Sequence, residues 1–362
     1  MVISQVDLFI DDCESAFVRE TIEKRWLSEG LHTKLFMEDI SEKLENCFSF
    51  PVPNGTLGLF LAFLALDLEP KSEVIIPSFT FYASAMAAVY AGLTPVFVDV
   101  HPKTFNVTPQ AIAAAITPRT RAIMPVHIYG HVCDMNAIME IAYRHDLKVI
   151  EDAAQAFSAT LCNRPAGLFG DIGVFSFYSD KVITTGEGGC LVTHDQAIAD
   201  KIALIRNQGR PHSGTFVHPS LGMNFRITDM QAAVGRSQLR KLPQIIADRL
   251  QRWDYYSTTL AGVGDLEFME VFPESTLVPF RFPILTNERV KISAALEAEG
   301  MQTRGFFYPL HLQPKLKREP PQSLVVSEDL HRRGLCLPIH HHLTNTDLER
   351  IVSTIHRYFH RA

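Results

Sequence analysis

No two cysteines of this chain are spaced as CxxC, and no long run of lysine and arginine occurs anywhere in it. The six cysteines, at 13, 47, 133, 162, 190 and 336, are scattered. They read as reduced, mostly buried thiols of a cytoplasmic protein and set aside a disulfide scaffold. With a formal net charge of −6 and no basic patch, nothing points to nucleic acid. The N-terminus, MVISQVDLFIDDCESAF, carries acids where a secretory signal has a basic stretch followed by an apolar run. The longest apolar run nearby, LGLFLAFLAL, is too short to span a bilayer and reads as a buried helix. Repeats and low-complexity segments are also missing. No G-x-G-x-x-G follows the first expected strand, which argues against a nicotinamide-dependent oxidoreductase. No G-x-x-x-x-G-K-[ST] occurs, so the glycines of GEGG are not a P-loop.

What is present is ordinary for a soluble enzyme: 362 residues, 46% hydrophobic and 20% charged, enough for a large core and two domains. Helical periodicity appears twice between residues 13 and 47, split by SEGLHT. Then strands and helices alternate. FSFPV, EVIIP, TPVFVDV, RAIMPVHI, LKVIEDA, DIGVFSF and GGCLVTH read as strands. NGTLGLFLAFLALDL, TFYASAMAAVYAG, TPQAIAAAI and DMNAIMEIAYRHD read as helices between them, the third with a Thr cap and Pro at its first position. Continuous apolar strands alternating with helices predict a mainly parallel sheet covered on both faces. A long helix is expected over about 228–260, and the remainder reads as a smaller α+β domain. The boundary is placed near residue 245, giving a large domain over 1–245 and a small one over 246–362.

In such a sheet, ligands bind beyond the carboxyl ends of the strands. Asp152 ends LKVIED, Lys181 lies just beyond DIGVFSF, and the Asn54–Thr56 loop follows FSFPV and opens a helix. The first N–H groups of a helix are unpaired and its dipole is positive there, so a phosphate is well held. Ser176 adds a hydroxyl. Each feature alone has a plainer reading: a turn at NGT, a surface acid, a solvated lysine. Together they are the parts that hold pyridoxal phosphate. A lysine amine condenses with the aldehyde, a carboxylate keeps the ring nitrogen protonated, and an aromatic face covers the ring.

The order NGTLGLFLAF, PSFTFYASAMAAVYAGLTPVFVDV, ITPRTRAIMPVHIYGHVCDM, IEDAAQAFSAT, FSFYSDKVITTGEGG and GMNFRITDMQAAVGRSQL resembles the DegT/DnrJ/EryC1/StrS family of sugar aminotransferases. The resemblance runs from about residue 25 to 350. It implies the fold-type I architecture, α/β, with a mainly parallel seven-stranded sheet flanked by helices and a smaller C-terminal α+β domain. It implies pyridoxal 5′-phosphate as cofactor, with Lys181 as the Schiff-base and catalytic lysine and Asp152 on the pyridinium nitrogen. Gln155 falls on the ring's phenolic oxygen, Phe81 on the ring face, and Ser176 with the Gly55–Thr56 backbone on the phosphate. Asn224 is implied to reach the phosphate from a second subunit, and hence a homodimer with shared active sites. Tyr308 and His311, in the stretch FFYPLHLQ, resemble a substrate-side loop.

The implied reaction moves an amino group from an amino acid, L-glutamate by analogy, to a nucleotide-linked ketosugar. It would serve aminosugar synthesis for lipopolysaccharide O-antigen or other surface polysaccharide, or for antibiotic sugars. A regulatory protein that binds the cofactor on the same fold, or a sugar dehydratase-like relative, is the alternative; dehydratase relatives carry histidine where Lys181 stands. Two positions depart from the commoner family pattern: Tyr178 and Gln208 both stand where histidine is frequent. The run His340–His342 lacks acids at ligand spacing, so no metal is expected. Glu187 is expected to order the glycine loop, and those glycines to bring backbone close to cofactor or lysine.

Overall fold

The computed structural model describes residues 2–212, 214–317 and 322–361. Its strands are β1 (Phe48–Val52), β2 (Glu73–Pro77), β3 (Thr94–Val98), β4 (Thr120–Ile123), β5 (Lys148–Asp152), β6 (Thr160–Leu161), β7 (Arg164–Pro165), β8 (Ile172–Ser176), β9 (Gly189–Thr193), β10 (Glu267–Phe268), β11 (Ser275–Thr276), β12 (Phe282–Leu285), β13 (Arg304–Gly305) and β14 (Gly334–Leu337). A seven-stranded sheet has the order β1-β9-β8-β5-β4-β2-β3. Five of its strands run parallel through the pairs β8–β5, β5–β4, β4–β2 and β2–β3. Only β9 is reversed against its neighbours, because the loop that joins it to β8 holds 12 residues and no crossover helix.

Strands β2, β8 and β9 are buried at every position, as a sheet covered on both faces requires. One large core cluster, including Phe36, Ile138 and Phe175, lies on one face. Another, including Leu61, Ala88 and Ile202, lies on the other. The helix Gly55–Leu66 is apolar all round because it packs both on the sheet and under helices Tyr82–Tyr90 and Gln196–Arg206. Asn54 caps it, its Oδ1 accepting from Leu57 N–H at 2.9 Å. Thr108 caps the helix that starts at Pro109.

The stretch RAIMPVHI is not one strand. It leaves the sheet after Ile123, bridges Asp152 at Val126, and turns at Ile128–Gly130. Pro125 has no N–H for a ladder, and Tyr129 takes a left-handed conformation with φ 54°. Gly130 follows with φ 92°, and a Cβ there would lie 1.8 Å from Val278 O. Close approach to the chain entering β12 therefore demands glycine.

The helix Asp229–Thr259 runs for 31 residues and carries Pro243 inside it, so residue 245 falls within a continuous helix. Beyond it, β10-β12-β14-β13 form a four-stranded antiparallel sheet. Helices Arg289–Ala298 and Asn345–Arg361 pack on it around Phe282, Ile292, Leu335 and Ile351. Ile3 bridges Met301, so the first described residues join this second sheet. Arg249 of the long helix donates to Pro279 O and Phe280 O, both at 3.0 Å, and so ties the helix to the segment that faces the large sheet. Among the described residues no helix is long and apolar enough to cross a membrane.

Candidate active site

A cavity of about 540 Å³ lies at the carboxyl ends of the central strands. Asn54, Gly55 and Thr56 enter it from the loop after β1, and Thr80 and Phe81 from the loop after β2. Asp152, Ala154 and Gln155 come from the end of β5. Ser176, Tyr178, Asp180 and Lys181 come from the end of β8. The opposite wall is made by Phe280, Arg281, Arg304, Phe306 and Phe307. Of the residues expected at the cofactor, Gly55, Thr56, Phe81, Asp152, Gln155, Ser176 and Lys181 are therefore brought together from segments up to 126 residues apart (181 minus 55).

Asp152 is 5% exposed. Ser84 Oγ donates to its Oδ2 at 2.8 Å and Ala154 N–H to its Oδ1 at 3.2 Å. Burial pushes its carboxyl above the ordinary range, against the pull of the Ser84 hydrogen bond. Such a carboxylate is short of a cation, and a protonated ring nitrogen is one. Lys181 Nζ lies 4.4 Å from the centroid of the Phe280 ring. Burial lowers its pKa, and the Asp180 carboxylate, with Oδ1 3.7 Å from Nζ, opposes that. Gln155 accepts from Tyr129 N–H at 3.0 Å through Oε1, which leaves its amino group as the donor it offers the cavity.

The phosphate-sized end is defined by close approach. A Cβ on Gly55 would meet Ser176 Cβ at 2.9 Å, and one on Gly189 would lie 3.0 Å from Asn54 C and 3.1 Å from Gly55 N. The helix N-terminus and the Ser176 hydroxyl thus share one end of the cavity, and the start of β9 packs against the Asn54–Gly55 backbone. Gly189 packs on the Asn54–Gly55 backbone rather than on the lysine. Glu187 does hold the glycine loop, but through its carbonyl, which accepts from Thr185 Oγ1 and Gln231 Nε2, both at 2.7 Å; its side chain faces the cavity.

Other expected residues lie elsewhere. Asn224 is exposed and does not line the cavity of its own chain; its Oδ1 accepts from Arg226 N–H at 3.1 Å. His311 is buried between Ser78 Oγ (2.7 Å) and Glu328 Oε1 (3.2 Å), and Tyr308 packs edge-on against His331; neither lines the cavity. Another buried histidine, His127, is structural. It bonds Glu151 at 2.9 Å and accepts from Cys133 N–H at 3.2 Å, with both side chains fully buried. His340, His341 and His342 hold the N-terminal segment and the long helix through Ser4 O, Asp248 and Leu8 O. Tyr178 does line the cavity, whereas Gln208 does not.

The reading of the sequence missed the far wall. Asp180 accepts from Arg281 Nη2 at 2.6 Å and lies 3.5 Å from Arg304 Nη1. Arg281 in the apolar run LVPFRFPIL is the signal that was available, since a guanidinium inside such a run needs a buried partner. Tyr129 and Phe307 stack at 5.9 Å with their planes 13° apart. Phe306 and Phe307 sit next to Arg304 and Gly305 of β13, and no local pattern singles them out.

A family model described as the DegT/DnrJ/EryC1/StrS aminotransferase family matches residues 9–356. The sequence is 37% identical over 353 residues to a GDP-perosamine synthase of Caulobacter vibrioides, covering 96% of this chain and 95% of that protein. It is 40% identical over 310 residues to a UDP-N-acetyl-3-dehydro-alpha-D-glucosamine 3-aminotransferase of Acidithiobacillus ferrooxidans, covering 85% and 83%. The fold is similar to that of S. venezuelae DesV, solved in complex with a ketimine intermediate, with a TM-score of 0.92 and 33% identity over 96% of this chain and 95% of that one.

Proposed function

The chain belongs to the DegT/DnrJ/EryC1/StrS aminotransferase family, and we propose that it transfers an amino group from L-glutamate to a nucleotide-linked ketosugar, at a site shared between two copies. Its cofactor is pyridoxal 5′-phosphate, and the residues present fit that group. A buried carboxylate short of a cation, a glycine concavity at a helix N-terminus and a lysine in one cavity are its three requirements. When bound, the cofactor supplies an aldehyde carbon for the amine and a ring that takes up the electron pair released at the donor's α-carbon.

The chain's own residues do the rest. Lys181 would hold the cofactor through its amine, and that amine, when free, would accept the proton released at the donor's α-carbon. Asp152, fixed by Ser84 and Ala154 N–H, keeps the ring nitrogen protonated. The Gln155 amino group would meet the phenolic oxygen, Ser176 Oγ and the N–H groups of Gly55 and Thr56 would hold the phosphate, and Phe81 would cover the ring. Asn224 of the partner subunit would complete the phosphate site. Its chain carries it on a segment whose Phe216 and Leu221 are 93% exposed, as an arm that crosses to a neighbour would be. Tyr308, exposed and next to Phe307 in the chain, would be the substrate-side residue of its loop, and His311 supports that loop from Ser78.

The relatives named above act on GDP- and UDP-linked sugars by their names, which supports a nucleotide-sugar acceptor here and a place in aminosugar or O-antigen synthesis. Six unpaired thiols support a reducing, cytoplasmic setting. The observation that carries the reading is the convergence of Lys181 and the buried Asp152 on one cavity that faces a free helix N-terminus. Borohydride reduction of the loaded protein followed by peptide mapping tests it. The cofactor is expected on the peptide containing Lys181, and its appearance on any other lysine refutes the assignment. Incubation with glutamate and a panel of nucleotide ketosugars, read by mass, tests the reaction. A panel that gives no aminated sugar while glutamate is turned over rejects the acceptor class.

A further inference from the structure

Asp180 stands next to Lys181 in sequence and on the same wall of the cavity, and none of the roles above uses it. Its side chain is 14% exposed. The two carboxylate oxygens have different surroundings. Oδ2 accepts from Arg281 Nη2 at 2.6 Å and lies 3.5 Å from Arg304 Nη1. Oδ1 is buried without a hydrogen-bond partner among the described residues, and lies 3.7 Å from Lys181 Nζ. A buried, ionised oxygen left unpaired is costly, and the nearest cation able to satisfy it is the lysine amine.

We infer that Asp180 is the positioning residue for the Lys181 amine: when that amine is free, its protonated form is held at Asp180 Oδ1, while Arg281 fixes the carboxylate in place. The inference rests on the reading of Lys181 as the lysine that carries the proton. The physical need is specific. Two cations from opposite walls, Lys181 and Arg281, adjoin Asp180, and burial already disfavours the ammonium. An amine that must carry a proton in one part of its cycle and lack it in another needs a local counter-charge. Asp152 is committed to the ring nitrogen. Asp180 supplies the counter-charge, and no bond is made or broken there; the proton stays on the amine.

The charged and titratable groups that face Lys181 come from every side. Asp180 and Tyr178 belong to its own loop, Asp152 to β5, Arg281 to the approach to β12, and Arg304 and Cys336 to β13 and β14. Glu187 and Tyr129 complete the cavity wall, and Asp7, Arg249 and His341 line the small space behind the lysine. Of these, Asp180 opposes the effect of burial on Lys181 most strongly, ahead of Asp152.

The test uses the full-length, cofactor-free protein and trace acetic anhydride, with the label read on the peptide containing Lys181 across a range of pH. Only the neutral amine reacts. Asp180→Asn keeps the shape and removes the charge, so Lys181 is expected to label at least about threefold faster at a fixed pH below its midpoint, with the whole profile moved to lower pH. Asp180→Glu is expected to bring the profile back toward that of the unaltered protein. An Asp180→Asn profile that coincides with the original, or moves to higher pH, overturns the inference. Should Asp180→Asn fail to fold, Arg304→Gln at an exposed position serves instead. Removal of that cation leaves Asp180 freer to hold the ammonium, so Lys181 is expected to label more slowly; unchanged or faster labelling overturns the inference. Because the label is read without cofactor, its outcome is separate from the borohydride map. Attachment of the cofactor to another lysine refutes the reading of Lys181 and leaves the Asp180–Lys181 coupling measured.

Discussion

The wall of the cavity at the strand ends and the wall contributed by the segments of the four-stranded sheet are made of different kinds of contact. At the strand ends, Gly55, Asp152 and Ser176 each sit at the end or start of a regular element. What they offer is largely set by that position: free N–H groups, a carboxylate at a strand terminus, a hydroxyl. Their geometry follows from strand adjacency, since β5 and β8 are hydrogen-bonded neighbours with Asp152 opposite Val174. Across the cavity, Arg281, Arg304 and the phenylalanines at 280, 306 and 307 meet Asp180 and Lys181 only because the second sheet packs there. Their contacts are an ion pair, aromatic faces and a tight backbone approach at Gly130. The first wall can change residues with little effect on the fold and a direct effect on the ligand. The second wall carries fold and site together.

The largest expected effect removes Lys181, which meets both walls. Lys181→Ala should lower amine transfer by about 10³-fold or more, measured in a single turnover, while thermal stability holds or rises because a buried ammonium is gone. A loss below tenfold would break the assignment.

The next effect should fall first on stability. Arg281→Met leaves the Asp180 carboxylate with only the more distant and exposed Arg304 guanidinium, and chemical denaturation should show a loss of about 3 kcal/mol. An unchanged denaturation midpoint would mean that the second wall is not structural.

Asp152→Asn should separate the two quantities. Burial raises the pKa of Asp152 above its unfolded value. Its contribution to stability is therefore complete below the unfolded pKa and is lost as pH rises through the folded one. At neutral pH the carboxyl group then burdens the cofactor-free fold. The Asn variant should melt at a higher temperature without cofactor, yet transfer amine about tenfold more slowly. A lower melting temperature, or activity within twofold of the original, contradicts the role.

Smallest of all, Ser176→Ala should weaken cofactor binding about fivefold, the worth of one hydrogen bond, with the melting curve of the cofactor-free protein unmoved. A shift in that curve as large as that of Arg281→Met would erase the distinction between the walls.

The difference between the walls also explains what could be read in advance. Thr108 as a cap, Pro109 at the first position of a helix and the buried strand EVIIP are local chemistry, and the structure has each of them. The run RAIMPVHI was legible only in part. Its apolar pattern continues past Ile123, but Pro125 and the left-handed Tyr129 end the ladder, and a pattern of hydrophobicity does not register a missing N–H. The mid-helix boundary near residue 245 reflects the same limit, for the helix Asp229–Thr259 is continuous there and periodicity does not show what each half packs against.

By itself the sequence determined the alternation of strands and helices, the strand-end placement of Asp152, Ser176 and Lys181, and the helix start at Gly55, because capping, burial and period are set by neighbouring residues. Family motifs spread along that order added roles to those positions. Tertiary structure alone decided that Asp180 meets Arg281 across 101 positions (281 minus 180) at 2.6 Å, that Gly189 supports the Asn54–Gly55 backbone, and that His127 and His311 are held in the interior away from the cavity. Those pairings depend on how two sheets dock. The charge of an aspartate or the ring of a histidine is the same in sequence whatever it will face, and only packing fixes the distance that gives it a role.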